Sequence, residues 1–234
     1  GGYFIINGSE KTCLGQEKPA ENQIYCFNIS KTNTKWFYSA EVKSSPDWKC
    51  ISPKQISLKY SSKTNAFGHS IYLEIPRLKK PIPLFIIFRT FNVLSDKDIC
   101  KKIILDIDDE KNKDLLEELK GSIADSNEIL TYDDAINYLQ KNVMYTPLNM
   151  DKEKGDKKKL EFTLDVLNND LFPHCKTKEQ KIYYLGYMTN KLLRFALGKI
   201  KSDDRDSYVN KRIDLCGPLL NNLFRNYFNK VVKD

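Results

Sequence analysis

The feature of this sequence that most constrains its fold is a change of pattern at Pro81 and Pro83. Before these prolines, short runs rich in β-branched and aromatic residues are separated by turn residues, which is typical of antiparallel strands. After them, apolar residues recur every three or four positions, which is typical of amphipathic helices. This order predicts an α+β fold, in which antiparallel β-hairpins form the N-terminal third and a mainly helical portion follows.

Six short runs have the composition of strands, and the first two lie either side of a turn that contains Asn7 and Gly8. An Asn-Gly pair favours the left-handed backbone of a tight hairpin. Pro76 ends the last run, because proline has no N–H to donate to a sheet. The predicted strands are residues 3–6, 12–16, 24–29, 36–42, 55–60 and 70–75.

The helical portion begins with an ambiguous segment. Residues 84–91 form a continuous apolar run, and periodicity alone does not separate a buried strand from a buried helix there. Further on, Ser95 and Thr131 each precede an aspartate by three residues, which is the spacing of a helix-capping box. The polar stretch 149–159 predicts a flexible loop. The predicted helices begin at Ser95 and Thr131 and also cover 112–122, 160–167, 177–199 and 214–232.

Composition and charge limit the class of protein. A hydrophobic content of 41% is enough to bury a core, and no apolar run approaches the length that spans a bilayer. The N-terminus lacks the pattern of a signal peptide and does not begin with Met, so we expect a soluble fragment with no membrane partner. The formal charge of +7 favours polyanionic partners.

The cysteines and histidines give no pattern of a metal or catalytic site. The six cysteines lie far apart without a C-x-x-C pair, so we expect reduced thiols and no structural zinc. His69 is isolated in the sequence. His174 and Cys175 could be a base and a nucleophile, but adjacent side chains on one element point in different directions. The glycine-rich fingerprints of nucleotide-binding loops are also missing.

The acidic run at 106–110 has two interpretations. Closely spaced carboxylates can hold Mg²⁺, and a metal-dependent nuclease built on Asp106, Asp108 and Asp109 is therefore one hypothesis. Acidic residues before a helix also complement the helix dipole without a metal. We prefer this second interpretation, because the sequence has no further acidic motif to complete a cation site.

Basic residues are the better candidates for a binding surface. One group lies in the polar stretch, where lysines are more often a solvated run than a DNA contact, and comprises Lys152, Lys154, Lys157, Lys158 and Lys159. A second group, Arg205, Lys211 and Arg212, lies close to several aspartates that could pair with these cations. The aromatic run 36–38 could stack on bases, but alternate residues of a strand would face the core, so packing is the preferred interpretation.

Two long segments near the ends of the sequence carry a resemblance to a known family. Residues 1–11 (GGYFIINGSEK), with Gln16-Glu17 beyond them, and residues 203–220 (DDRDSYVNKRIDLCGPLL) resemble the paired protrusion signatures of second-largest subunits of multisubunit RNA polymerases, including RNA polymerase II and its archaeal and viral relatives. Between them, residues 83–89, 171–174 and 184–188 resemble the lobe of the same subunits.

The resemblance implies an arrangement of domains. Residues 1–29 and 204–234 are expected to belong to the protrusion, and residues 30–203 are expected to form the lobe inserted between them. The resemblance also favours a helix for residues 84–91. Lys11 is expected near Arg205, Lys211 and Arg212 through the paired signatures, where these residues contact DNA or brace the protrusion. The weaker loop candidates are Lys154, Lys157, Lys158 and Lys159.

The resemblance further implies a role in DNA-directed RNA synthesis. The fragment is expected to form one side of the DNA cleft and to dock initiation factors, with the largest polymerase subunit, other subunits and DNA as partners. By this resemblance it is expected to belong to a nucleotidyltransferase and to carry no catalytic residue or cofactor, since Mg²⁺ and Zn²⁺ are expected elsewhere in the polymerase. The expected location is the nucleus, or the cytoplasmic factory and virion of a virus. The alternative is a freestanding nucleic-acid or protein-binding module, which would explain the charge alone.

Overall fold

The computed structural model describes residues 2–29, 35–48, 51–146 and 151–233. The chain divides into two compact units, a smaller one formed by Gly1–Ala20 with Asp204–Asp234 and a larger one formed by Glu21–Asp203. The strand predicted at 24–29 pairs within the larger unit. The assignment of residues 1–29, 30–203 and 204–234 to protrusion and lobe stays a prediction.

The secondary structure changes from strands to helices along the chain, which confirms the predicted α+β class. The strands are β1 (Tyr3–Ile6), β2 (Ser9–Thr12), β3 (Gln16–Pro19), β4 (Ile24–Asn28), β5 (Trp36–Ser44), β6 (Lys54–Asn65), β7 (Gly68–Glu74), β8 (Ile82–Pro83) and β9 (Lys211–Asp214). The helices are α1 (Leu84–Thr90), α2 (Asp96–Ile104), α3 (Lys113–Ala124), α4 (Tyr132–Asn142), α5 (Lys152–Asp165), α6 (Lys178–Ala196) and α7 (Cys216–Lys233). No helix among the described residues has the length and apolar content needed to cross a bilayer.

The smaller unit contains two antiparallel strand pairs and α7. β1 and β2 form a hairpin in which Tyr3 lies opposite Thr12 and Ile6 lies opposite Ser9. Its turn uses Asn7 and Gly8 at φ angles of 53° and 76°, the left-handed backbone that an Asn-Gly pair favours. The hairpin therefore closes earlier than predicted, so the second strand is Ser9–Thr12 and not 12–16.

The larger unit is built on an antiparallel sheet in the order β4-β5-β6-β7-β8, so each strand pairs with its neighbours in sequence. One face of the sheet packs on α3 and α6, and β5 to β7 each contribute several buried residues. The free edge of β4 is covered, because the Asp203 carboxylate accepts from the Cys26 N–H at 2.7 Å and the Asp203 N–H donates back to the Cys26 carbonyl at 2.9 Å. Covering an edge strand prevents it from pairing with another chain.

The ambiguous run after Pro83 is a helix. β8 uses only Ile82 and Pro83 to extend the sheet beside β7, and α1 begins at the next residue. All seven residues of α1 are buried, including the guanidinium of Arg89. Helix formation satisfies the backbone of this buried segment internally, so that its apolar side chains can pack on every side.

The helix N-termini confirm some predicted caps and not others. Thr131 accepts from the Asp134 N–H at 3.2 Å, as its spacing predicts. Thr177 and Gln180 form a complete capping box at the start of α6, which was not predicted from the sequence. Ser95 does precede α2, but its side chain makes no capping bond.

The predicted loop at 149–159 is wrong where the structure describes it, because α5 already begins at Lys152; residues 149 and 150 lie outside the described residues. The Gly155 N–H donates to the Asp151 carbonyl at 2.8 Å, which closes the first turn, and the Gln140 side chain donates to the Asp156 carbonyl at 3.0 Å. Lysine and glutamate are good helix formers, so a polar helix on the surface of α4 competes successfully with a loop.

Two glycines set the distance between packed elements of the larger unit. A Cβ at Gly121 of α3 would overlap the carbonyl oxygen of His69 in β7, and a Cβ at Gly186 of α6 would overlap the carbonyl oxygen of Lys102 in α2. Both contacts are to backbone atoms, which cannot rotate away as a flexible side chain would. Only glycine allows α3 and α6 to approach so closely.

We expect Gly121→Ala to lower the free energy of unfolding by about 1–3 kcal/mol, because the added methyl group must push α3 away from β7. The measurement is urea unfolding followed by circular dichroism. Gly217→Ala is the control, since a Cβ at Gly217 in α7 meets nothing within 4 Å and alanine is the better helix former. Equal stability of the Gly121→Ala variant and the natural chain would contradict the close packing.

Candidate nucleic-acid interface

The basic candidates of the smaller unit lie on two separate strand pairs. Lys11 is exposed in β2, opposite Phe4 of the hairpin. Lys211 and Arg212 lie in β9, which pairs with β3 in a register that sets Gln16 opposite Asp214. Neither β9 nor this pairing was predicted from the sequence, because the two strands are almost two hundred residues apart in the chain.

Lys211 and Arg212 project from opposite faces of the β3–β9 ribbon, because successive side chains of a strand alternate. Lys211 shares a face with Glu17, and its Nζ lies 2.9 Å from the Glu17 carboxylate. The hydrogen bond to Glu17 raises the pKa of Lys211 above its ordinary value. This lysine therefore ties β9 to β3, and the choice between bracing and DNA contact stays a prediction.

Arg212 lies on the other face and is exposed. Its Nη1 donates to the carbonyl oxygens of Lys211 at 2.7 Å and Val209 at 3.3 Å, both in its own segment. Lys18 lies directly opposite Arg212 and forms an ion pair with Asp214 at 3.2 Å. Two cations thus share this face of the ribbon, which makes Arg212 the better candidate for a phosphate contact.

Arg205 lies just before β9 in an exposed segment that is held by its own polar residues. The Asp204 carboxylate accepts from the Asp206 N–H at 2.9 Å, and the Asn210 side chain donates to the Asp204 carbonyl at 2.8 Å. The Ala20 N–H also donates to the Asn210 carbonyl at 2.9 Å. These bonds fix the backbone beside Arg205 and extend the β3–β9 pairing by one step.

The weaker candidates lie in the larger unit, on α5 instead of a loop. Lys154, Lys157 and Lys158 are exposed and follow the i, i+3, i+4 spacing, which places them on one face of the helix, while Lys159 is partly buried. Lys154 lies 3.8 Å from the Asp151 carboxylate. The helix gives these lysines a fixed arrangement that a loop would not.

The acidic run at 106–110 is engaged in local backbone contacts. Asp106 accepts from the Asp108 N–H at 3.1 Å, and Asp109 accepts from the Lys111 N–H at 3.0 Å at the start of a 3₁₀ turn, Glu110–Asn112. Among the residues that the structure describes, no group of three or more His, Cys, Asp or Glu side chains is placed to hold a metal ion. These contacts favour the capping interpretation of the run.

His174 is more closely surrounded than the sequence indicated. Its Nδ1 lies 2.6 Å from the Ser44 hydroxyl, its ring packs edge-on against Tyr184 at 4.4 Å, and its Nε2 is buried without a hydrogen-bond partner. Burial and, secondarily, Lys181 lower the pKa of His174. Burial raises the pKa of the Cys175 thiol to about 11, so this cysteine stays protonated and the base–nucleophile hypothesis gains no support.

The aromatic run of β5 divides between packing and exposure. Tyr38 packs edge-on against Phe195 at 5.2 Å, as the packing interpretation predicts. Phe37 is 47% exposed on the opposite face. Trp36 is partly buried and meets Tyr72 edge-on at 5.5 Å, in the wall of a surface cleft that the sequence did not predict.

The smaller unit also exposes many large apolar side chains. On α7 they recur at helical spacing and form one broad face. An exposed apolar patch of this kind marks a surface that binds another protein or another part of the same chain. The exposed residues are Tyr3, Ile5, Ile6, Leu14, Tyr208, Val209, Ile213, Leu215, Leu220, Leu223, Phe224, Tyr227, Phe228, Val231 and Val232.

Comparison with known proteins gives a consistent set of similarities. Residues 20–214 match the family described as RNA polymerase Rpb2, domain 2. The whole chain is 36% identical to a segment of DNA-directed RNA polymerase II subunit RPB2 from Encephalitozoon cuniculi and 36% identical to a segment of subunit 2 of the same enzyme from Arabidopsis thaliana. It is 29% identical to a segment of DNA-directed RNA polymerase subunit Rpo2 from Saccharolobus solfataricus. The chain spans about a fifth of the length of these relatives, 20%, 20% and 19% respectively.

We expect the folded chain to become less stable at acidic pH, because His174 is buried in its neutral form. The folded state keeps this imidazole neutral, whereas the unfolded chain takes up a proton near the ordinary pKa of about 6.5. Stability is therefore lost as the pH falls below about 6.5 and through the lower folded pKa. Urea unfolding at about pH 7.5 and about pH 5.5 measures the loss, which should be smaller in His174→Gln. The same loss in both proteins would contradict this assignment.

The two residues of β9 should differ in their effect on DNA binding. We expect Arg212→Ala to reduce the slope of log affinity against log salt concentration by about 0.9, the value for one lost contact with a B-DNA phosphate. Lys211→Ala should lower the thermal stability and leave the slope unchanged, because it removes the ion pair with Glu17. Fluorescence anisotropy with duplex DNA at several salt concentrations measures both. An equal flattening by the two variants would contradict the separation of their roles.

Proposed function

The chain belongs to the family described as RNA polymerase Rpb2, domain 2, and from this premise we propose that it forms a non-catalytic part of the second-largest subunit of a DNA-directed RNA polymerase. The observation that carries the proposal is the continuous similarity of the entire chain to segments of such subunits at 36% identity. In this role the chain contributes to DNA-templated RNA synthesis as one side of the cleft that holds DNA.

The charge of the chain supports the DNA-facing role. The formal charge of +7 attracts a polyanion, and Lys18 and Arg212 present two cations on one face of the β3–β9 ribbon. Contacts from such residues to phosphates position DNA without reading its sequence. A surface of this kind suits an enzyme that must hold DNA of any sequence.

The exposed apolar face of α7 supports a place within a larger assembly. Leu220, Phe224 and Phe228 on this face are all at least 45% exposed, a costly arrangement for side chains of this size in water. The matched segment is only a fifth of the length of the relatives, so in them further polypeptide is available to cover the corresponding face. We propose that the rest of the second-largest subunit covers it, with the largest subunit as the main partner of the assembly.

A cleft on the larger unit supports the docking of protein partners such as initiation factors. Its volume is about 390 Å³, and its lining includes Leu94, Leu105 and Tyr183, all of which are more than 40% exposed. Leu105 has φ 71° and ψ −61°, the backbone of a strained γ-turn. Strained residues persist only where the surrounding structure holds them in place, and they cluster at binding and switch sites.

The chemistry of RNA synthesis is assigned to other parts of the polymerase. We propose that the catalytic Mg²⁺ and the structural Zn²⁺ are held outside this chain, which then needs no cofactor. The relatives that are named as subunits of RNA polymerase II come from eukaryotes, so the proposed location is the nucleus.

An antibody raised against this chain tests the proposal when it is used to capture the native protein from the source material. We expect a polypeptide about five times as long as the chain, since the chain covers 20% of its relatives, together with a still larger subunit. The captured material should synthesise RNA only when a DNA template is added, and reactions without template and with pre-immune serum are the controls. A solitary species of 27.2 kDa without this activity would overturn the proposal in favour of a freestanding binding module.

A further inference from the structure

We propose that the cleft beside Trp36 binds an unpaired nucleotide of single-stranded nucleic acid. The cleft has a volume of about 330 Å³, at the lower end of the range for ligand sites, which suits one nucleotide better than a folded partner. This inference rests on the proposed function for the presence of nucleic acid and deepens it by naming the form of nucleic acid and the residues that hold it. The lining of the cleft, called the Trp36 cleft below, comprises Lys35, Trp36, Ser61, Lys63, Thr64, Asn65, Ser70, Tyr72 and Asp125.

Two irregularities of the sheet create the cleft. The register of β5 on β6 shifts between Trp36 and Tyr38, which lie opposite Ser61 and Tyr60. The register of β6 on β7 shifts between Tyr60 and Thr64, so three residues of β6 face a single residue of β7. Bulges turn side chains out of their regular alternation and are frequent next to active and binding sites. Here they bring Ser61 and Lys63 of β6 into the lining.

The floor of the cleft is held rigid by Asp125. Its carboxylate accepts from the Asn65 side chain at 2.8 Å and from the Tyr72 hydroxyl at 2.7 Å. Bonds from Ser70, Tyr72 and Asn65 lower the pKa of Asp125 against the opposing effect of burial, so the carboxylate stays ionised. Asp125 is a positioning residue, because the bonds that it accepts fix the groups that would touch the ligand.

The position of Asp125 depends on the close packing of α3. Gly121 lies one turn before Asp125, and it allows α3 to rest on the backbone of β7. The Asn65 side chain also donates to the Gly121 carbonyl at 2.9 Å, so it bridges the end of β6 and the end of α3. The floor is thus part of the core packing of the larger unit and is formed before any ligand arrives.

The walls and rim have the chemistry that an unpaired nucleotide requires. Trp36 and Tyr72 supply aromatic surface at an interplanar angle of 64°, and a base can stack on such a surface whatever its identity. Lys35 and Lys63 are exposed at the rim, where ammonium groups can meet phosphates. The Ser and Thr hydroxyls of the lining can bond to base edges or to the ribose. Duplex DNA cannot use the aromatic wall, because its bases are stacked on each other.

Photochemical crosslinking of the whole polymerase tests the proposal. The assembly is purified through a tag on the full-length subunit and irradiated with short single-stranded oligonucleotides that carry 5-bromouracil, one made of DNA and one of RNA. Crosslinked peptides are identified by mass spectrometry. We expect crosslinks on the peptides that contain Trp36 or Tyr72, with either oligonucleotide or with both, and the comparison shows which nucleic acid the cleft prefers.

Substitutions separate the Trp36 cleft from other nucleic-acid contacts of the assembly. Trp36→Ala should lower the crosslink yield on the Tyr72 peptide at least about tenfold, and Trp36→Phe should restore most of it, since phenylalanine still stacks. Lys63→Glu should lower the yield and Lys97→Glu should not, because Lys97 is an exposed lysine of α2 outside the cleft. Lys63 is exposed at the rim, so Lys63→Glu decides the question if Trp36→Ala fails to assemble.

Several results would overturn the inference. One is an absence of crosslinks on these peptides while other parts of the assembly are crosslinked. Another is a yield that neither Trp36→Ala nor Lys63→Glu changes. A third is displacement by polyglutamate as effective as by unlabelled single strand, which would mean that the cleft takes an acidic peptide.

The result of the crosslinking experiment can be distinguished from the result of the antibody capture that tests the proposed function. A polymerase that transcribes its template but gives no crosslink in the cleft would refute this inference alone. Crosslinking in the cleft of a protein that captures no further subunit would refute the proposed function and leave the nucleotide site in place.

Discussion

The buried guanidinium of Arg89 is the constraint on which the packing of the larger unit depends. Arg89 is completely inaccessible to solvent in α1, and a charge in such a place is costly unless every donor is satisfied. Its Nη1 donates to the carbonyls of Ser126 at 2.7 Å and Ile129 at 2.5 Å, and its Nη2 donates to Asp96 at 2.5 Å. These bonds hold the turn after α3 and the first residue of α2 against α1.

The consequences of this network extend to the surface. The turn at Ser126 directly follows Asp125, so the same contacts that satisfy Arg89 also fix the residue that organises the Trp36 cleft. Gly121 completes the arrangement by letting α3 rest on β7. The buried charge of Arg89, the close contact of α3 with β7 and the lining of the Trp36 cleft are therefore linked in one packed arrangement.

Local patterns in the sequence predicted the turns and helix caps that are determined by residues a few positions apart. The Asn7-Gly8 turn and the capping residue Thr131 act within a few positions, and both have the predicted roles. The helix at Leu84–Thr90 could not be predicted from its local pattern. It is buried on every side, so its apolar residues do not show the period that would separate a helix from a strand. The loop predicted at 149–159 was wrong because polarity was taken as a loop signal, whereas Lys and Glu also favour helix.

The long-range features escaped prediction for physical reasons. β9 is four residues long and becomes a strand only because β3 lies beside it. Lys211 and Arg212 were identifiable as candidates, but their division between two faces follows from a strand that had no local signal. The Trp36 cleft arises from register shifts between neighbouring strands, and these depend on pairing that the composition of β5, β6 or β7 does not specify.

The two proposed modes of nucleic-acid contact share one property. Arg212 and Lys18 would meet phosphates, which are the same at every position, and Trp36 would meet the face of a base, which every base possesses. Neither mode reads sequence. Lys18 and Lys211 are also paired with Asp214 and Glu17, so the proposed contacts of the ribbon with DNA would be weak. Weak and sequence-independent contacts are what a surface needs if nucleic acid must move past it during synthesis, because tight or specific contacts would stop the movement at preferred sequences.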